Sequence, residues 1–378
     1  MIQNALKFLR GALVFIPSVM LLAVLGHSEA AFAATENVHK LQVKAERGFV
    51  KEEVELASAY FTGDGVAQDA RLAAYWYQKA AESGNPEAQN QVGYFYEAGL
   101  GVPADPARAL HWYQLSAASG SPDATLNLGV LYVLGLGVEK NVPVAEQYFQ
   151  EAARKGNGTG ATYMGTLNYF GIGVQQDKAA AEHWYTIGQK LHDPMSAYNL
   201  GTLYSTVPDH PHDLSKAAGY LRQSVEGGYV PAMHSLAVLL IHHPELARSP
   251  DEAVHLLEFA ANVGYWRSSL VLGVLARDGN SIPTDSKAAY YHFQVAILQG
   301  GTEVQSLLSH DTQKLTAALG SEQSEKLDSD ASLWFNQHHL ALTFVNKKGY
   351  KGKFFPVQAH SNPTEVLNAS LPQSDPAS

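Results

Sequence analysis

Apolar, small and polar positions alternate along this chain with a helical spacing nested inside a longer period of 36 residues. Between Ala88 and Tyr96, the residues Val92, Phe95 and Tyr96 share one face at i, i+3, i+4 spacing, which predicts a first helix. Gly99 and Gly101 end it, because glycine accepts the left-handed conformation of a helix C-terminus. Asp105 then suits the cap of a second helix, whose free N–H groups need an acceptor. That helix carries Ala109, Trp112, Tyr113 and Ala117 and stops near Gly120, and Pro122 fits the first turn of the next one.

The same pair of helices recurs. Ala57, Gly93, Gly129, Gly165, Gly201, Ala237 and Gly273 are each 36 residues apart, and so are Ala73, Ala109, Ala145, Ala181, Ala217, Ala253 and Ala289. A capping column runs beside them: Asp69, Asp105, Asn141, Asp177, Asp213, Ser249 and Asp285. A fixed period of this length marks a repeat array, in which each unit buries its apolar face against its neighbours. The motif Leu128-Gly129, Leu131-Tyr132, Gly135, Gly137-Val138, then Ala145 and an aromatic pair, resembles the Sel-one-like repeat family over residues 52–300. The resemblance implies an all-α fold: an α/α right-handed superhelical solenoid of tetratricopeptide-like helix–turn–helix units acting as an adaptor for protein partners. Relatives with a cysteine pair in each repeat have been linked to β-lactam binding; this chain has no cysteine, so neither feature carries over.

The pattern weakens towards the C-terminus. The glycine pair Gly63/Gly65, repeated at Gly99/Gly101, Gly135/Gly137 and Gly171/Gly173, becomes Val207/Asp209 and then His243/Glu245, with Gly279 alone kept in the seventh unit. Ala45 and Gly48 fall one period before Ala81 and Gly84, so residues 34–51 read as an N-terminal capping helix. Seven repeats then fill 52–300. A degenerate unit starting at Val304–Ser309 and a closing helix over Glu322–Gln337, with Leu327, Leu333 and Trp334 inward, fill 301–340. The proline-containing segment 341–378 reads as a flexible tail.

Residues 1–33 read as a signal peptide: Lys7 and Arg10, an apolar run from Gly11 to Gly26, then Ala31-Phe32-Ala33. A retained anchor is the alternative, but Pro17 interrupts the run, which is short of the roughly 20 residues a bilayer requires. Cleavage moves the net charge from −10 to −11 by removing Lys7, Arg10 and Glu29. A periplasmic or secreted bacterial protein is therefore expected, with no integral membrane segment after cleavage. An acidic chain is a poor match for nucleic acid, which recruits clustered cations.

The chemistry-bearing residues divide into periodic and local ones. Trp76, Trp112 and Trp184, and Tyr60, Tyr96, Tyr132 and Tyr204, sit in fixed repeat positions and are expected to pack in the core rather than stack on sugars. His210, His212, His242 and His243 fall in the irregular loops of repeats five and six, with residue types that suit a zinc site; Asp213 is needed as a cap, and solvated histidines are the expectation. Gly156-Asn157-Gly158-Thr159-Gly160 is glycine-rich but follows no strand, which argues against phosphate binding. No zinc-hydrolase, nucleophile-elbow or phosphate-loop motif is present. No enzyme activity and no cofactor are expected. Lys347-Lys348-Gly349-Tyr350-Lys351 and Lys353-Phe354-Phe355 form a basic, aromatic stretch suited either to anionic lipid or glycan polymers or to docking its phenylalanines on the last helix.

In tetratricopeptide-like units the first helix lines a concave wall. Carrying that geometry over places Phe61, Tyr94, Leu126, Val130, Val133, Tyr169, Phe170, Tyr198, His234, Ile241 and Arg277 on the wall. The strip is largely apolar and suits a protein or peptide partner, unless a segment of the same chain covers it. The expected function is a non-enzymatic, exported interaction scaffold binding its partner in that groove. The alternative is a cell-envelope enzyme, or a protein binding a cell-envelope polymer such as cell wall or glycan, with its site on the irregular loops.

Overall fold

The computed structural model describes residues 36–206 and 213–347, and every regular element among them is helical. They divide into two compact units at Ala145/Glu146. The first holds α1 (36–46), α2 (Val50–Thr62), α3 (Ala70–Glu82), α4 (Pro86–Ala98), α5 (Pro106–Ala118) and α6 (Pro122–Leu134). The division falls within α7 (Val142–Arg154). The second continues with α8 (Gly158–Phe170), α9 (Lys178–Lys190), α10 (Pro194–Thr206), α11 (Leu214–Glu226), α12 (Val230–His242), α13 (Glu252–Asn262), α14 (Trp266–Asp278), α15 (Ser286–Gly300), α16 (Thr302–Leu319) and α17 (Ser321–Lys347).

The helices begin and end where local chemistry dictates. Asp69, Asp105, Asn141, Asp177, Asp213 and Asp285 each accept backbone N–H groups of the helix they precede. Ser249 does not. In its repeat a short 3-10 turn, Pro244–Leu246, moves the helix start to Glu252, with Asp251 at the cap position. Arg222 of α11 holds that loop, donating to the Leu246 carbonyl at 2.7 Å and to the Glu252 carboxylate at 3.1 and 3.2 Å.

The glycine pair has two different jobs. Gly63, Gly99, Gly135 and Gly171 end the first helices in the left-handed conformation. The second glycine permits close stacking: a Cβ on Gly137 would lie 2.5 Å from the Pro106 carbonyl oxygen of the preceding repeat, and one on Gly101 would overlap the Ala70 carbonyl. In repeat seven Ser281 occupies this register at φ 64, a conformation that favours glycine.

Between repeats, a second series of glycines turns the chain, among them Gly84, Gly120 and Gly156, all at positive φ. His192 takes this place before α10, at φ 60. The first helices of repeats two to five are capped by Asn85, Ser121, Asn157 and Asp193. In the next two repeats, tyrosines replace the acceptors. Tyr229 and Tyr265 make no side-chain cap, and their rings pack instead against Tyr198 and His234, at 5.1 and 5.3 Å between centroids.

The core of each unit lies between paired helices. In the first, Phe95 packs against Tyr77 and Phe61, and Tyr113 is fully buried. In the second, Phe149 packs edge-on to Tyr163, and Leu236, Leu257, Leu272 and Phe293 continue the apolar layer. Val304 and Leu308 of α16 and Ala331 of α17 are buried at the C-terminal end. Leu333, expected to face inward, is 58% exposed, because α17 turns Ala331 rather than Leu333 into the contact. This helix runs through Lys347, beyond the sequence boundary at 340.

Candidate partner-binding face

The eleven residues expected on the first-helix wall separate into accessible and buried sets. In the first unit, Phe61, Tyr94 and Val130 are half-buried, so part of each side chain meets solvent. In the second, Tyr169, Ile241 and Arg277 are half-buried, and Phe170 is 48% exposed.

Leu126, Val133, Tyr198 and His234 are buried, which corrects their placement on an open wall. Leu126, Tyr198 and His234 occupy one 36-residue register, together with Asn90 and Thr162. At Asn90, Thr162, Tyr198 and His234 this register points at the following repeat. Asn127 donates to Asn90 at 3.0 Å, Thr162 bonds Ser196, and His234 Nδ1 lies 3.2 Å from Ser268 Oγ. The His234 imidazole is driven down to a pKa of about 3 by burial and, secondarily, by the Arg267 charge, so it is neutral. Val133 shares its register with Phe61 and Tyr169, yet the shorter valine is buried where those two rings are half-buried.

Arg277 is accessible but committed. Its guanidinium donates to Asp278 at 2.7 and 2.8 Å and to Asp311 at 2.8 Å, and the Asp278 bonds above all hold its pKa up. It stiffens the junction between α14 and α16 more than it offers a free cation.

Leu134 was not among the expected wall residues. It is 37% exposed and lies exactly one period before Phe170, so the column that yields Phe170 contains it too. Tyr75, 54% exposed, stands on the other helix type, edge-on to Trp76 at 5.1 Å.

The periodic aromatics are core only in part. Trp76 and Tyr96 are buried, whereas Trp112, Trp184, Tyr60, Tyr132 and Tyr204 are half-buried. Within each aromatic pair, the second ring (Tyr77, Tyr113, Tyr185) is the one that fills the core. The half-buried Tyr204 donates to Glu182 at 2.6 Å, which pushes its pKa up to about 12.

His210 and His212 lie outside the described residues, as do residues 348–355 of the basic stretch. His243 Nδ1 lies 3.2 Å from Glu245 Oε1. Among the described residues, no group of three or more histidine or carboxylate side chains converges as a metal site would. The glycine-rich start of α8 already faces a carboxylate. Asp193 accepts from Thr159 Oγ1 at 3.0 Å, Thr162 Oγ1 at 2.5 Å and Ser196 N–H at 2.8 Å, tying α8 to α10.

Seven segments of the chain match the Sel1 repeat: 53–85, 86–121, 122–157, 159–188, 194–229, 230–265 and 270–301. The chain belongs to the Sel1 repeat family. Its helix–turn–helix units are those of an all-α solenoid fold, and the family typically provides non-catalytic scaffolds that mediate protein–protein interaction. The gap at 189–193 is where His192 stands in the glycine position of the turn. A Sel1 repeat protein from Oxalobacter formigenes is 25% identical, with a TM-score of 0.58 over 65% of this chain and 98% of its own. A protective antigen of uropathogenic Escherichia coli with this fold is 22% identical, with a TM-score of 0.44 over 84% of this chain and 75% of its own. An immunity protein from Pseudomonas aeruginosa is 23% identical, with a TM-score of 0.42 over 56% and 79%. No curated protein matches the chain. No helix among the described residues is long and apolar enough to cross a membrane.

Proposed function

We propose that this Sel1 repeat protein is an exported, non-enzymatic scaffold that holds a protein or peptide partner against the accessible side chains of its first helices. The observation that carries this reading is the solvent-reaching apolar set Phe61, Tyr94, Val130 and Leu134 in one unit, and Tyr169, Phe170 and Ile241 in the other. Exposed aromatic and aliphatic side chains on a rigid helical frame are the anchors that partner interfaces use. Leu126, Val133, Tyr198 and His234 contribute by stiffening the wall, not by touching the partner. The export part rests on Lys7, Arg10, the Gly11–Gly26 run and Ala31-Phe32-Ala33. The test is capture of a partner from an envelope extract by the wild-type chain and by a Tyr94→Ala/Phe170→Ala variant of equal thermal stability. Equal capture by both would sink the proposal.

A further inference from the structure

Separate from the first-helix face, the C-terminal end of the second unit holds a cleft of about 200 Å³ walled by α13, α14, α15 and α17. Trp334, Tyr291 and His292 supply aromatic surface, Leu272 and Val295 an apolar floor, and Glu258 a carboxylate. Tyr291 stands edge-on to His292 at 5.5 Å. Asp330, one helical turn before Trp334 on α17, adds a second negative charge that bears on the Tyr291 hydroxyl, which burial and that charge together hold protonated.

The balance of charge is one-sided. Burial pushes the His292 pKa down to about 4, so the ring is an uncharged aromatic wall at neutral pH. Ser269 is engaged with Gln299 at 2.9 Å, and Gln299 in turn donates to the Ala261 carbonyl at 3.0 Å, so that edge of the cleft is already satisfied. What remains is aromatic surface beside the Glu258 carboxylate, with the Asp330 charge acting on Tyr291. Aromatic rings attract cations through their quadrupole, and a partly dehydrated site with a neighbouring carboxylate strengthens the attraction.

We infer that this cleft binds an alkylammonium group, the chemistry shared by a partner's lysine side chain, a free amine and a lysine of this chain's own C-terminal stretch. Its volume accommodates the butyl arm of a lysine side chain, and its rings cover the methylenes while Glu258, in the lining, receives the ammonium and the Asp330 charge felt at Tyr291 reinforces it.

The test is calorimetric titration of the full chain with n-butylammonium and with 1-butanol, its uncharged counterpart. The wild type should bind n-butylammonium and bind 1-butanol at least about tenfold more weakly, as expected of a cation–π and carboxylate site. The Glu258→Gln/Asp330→Asn variant should lose about tenfold in affinity for n-butylammonium while melting with the wild type, because both residues are exposed. A Lys351→Gln/Lys353→Gln variant distinguishes the sources: tighter probe binding than wild type assigns the site to the chain's own lysines, and equal binding assigns it to an external amine. Equal affinity for the alcohol, unchanged affinity in the carboxylate variant, or no binding in the wild type and the lysine variant alike would overturn the inference.

Discussion

A Cβ on Gly93 would stand 2.6 Å from Cδ1 and Cε1 of Tyr113, so the first helix of this repeat rests directly on the aromatic ring of its second. The relationship recurs at Gly165 and Tyr185, at 2.5 Å, and between Gly273 and the Phe293 ring. Gly93→Ala should therefore lower unfolding stability by roughly 1–3 kcal/mol through overpacking. Gly219, inside α11, is the control. A Cβ there has no neighbour within 4 Å among the described residues, and Gly219→Ala should stabilise by roughly 0.5–1 kcal/mol through helix propensity. Denaturant midpoints of the two variants should move in opposite directions.

His192 and Ser281 are the two non-glycine residues at positive φ among the described residues, and each stands in a register that other repeats fill with glycine. Left-handed backbone disfavours a β-carbon by about 1–2 kcal/mol, partly offset by the greater freedom of an unfolded glycine. His192→Gly should thus raise stability by about 0.5–1 kcal/mol. An unchanged or lower urea midpoint would show that the imidazole has compensating contacts.

The buried His234 and the half-buried His292 set an acid limb. The folded-state values of His234 and His292, about 3 and about 4, lie below the ordinary imidazole value of about 6.5. The unfolded chain therefore binds more protons between these limits. The sign is stability retained above pH 6.5 and lost as pH falls towards 4 and 3. Each histidine contributes a slope approaching about 1.4 kcal/mol per pH unit within its window. His234→Gln, which keeps a polar group for Ser268, should flatten the stability profile between those limits. A profile with the same acid slope as wild type would remove His234 from the account.

Much of this was legible in the sequence because the repeat states its own constraints several times. The period located the helices, and six of the seven caps were readable because an acceptor before a free helix N-terminus has one local job. Ser249 failed because Arg222 and Glu252, 30 residues apart, reorganise its loop. The wall was harder. Positions 126, 198 and 234 carry apolar or aromatic residues, as an exposed face can, yet all three are buried, and Tyr198 and His234 pack on residues of the next repeat. Residue type does not reveal which face the next repeat covers. Leu134, conversely, was readable from the Phe170 column.

Export is checked by N-terminal sequencing of the protein from its native envelope. The expected first residue is Ala34, following Ala31-Phe32-Ala33. An intact Met1 form embedded in the membrane would contradict it.

The scaffold proposal separates anchors from frame. Phe170 is 48% exposed and Tyr94 half-buried, so truncating them should remove partner contacts with little loss of core. Anchor residues typically contribute more than about 1–2 kcal/mol to binding, while exposed positions change stability by less than about 0.5 kcal/mol. The half-buried Tyr94 is expected to add somewhat to the second figure, so Phe170→Ala alone is the cleaner probe. Tyr198 is the opposite case. It is 5% exposed and packed edge-on against Tyr229, and Tyr198→Ala should lower stability by about 3–5 kcal/mol, as truncation of a buried aromatic does. Binding per folded molecule should then stay close to wild type. Thermal melts and partner capture measured on the same preparations resolve the two classes: loss of capture without loss of melting temperature for Phe170→Ala, and the reverse for Tyr198→Ala. If Phe170→Ala lowers the melting temperature as Tyr198→Ala does while capture per folded molecule is kept, Phe170 belongs to the frame, and the partner must be sought on another face.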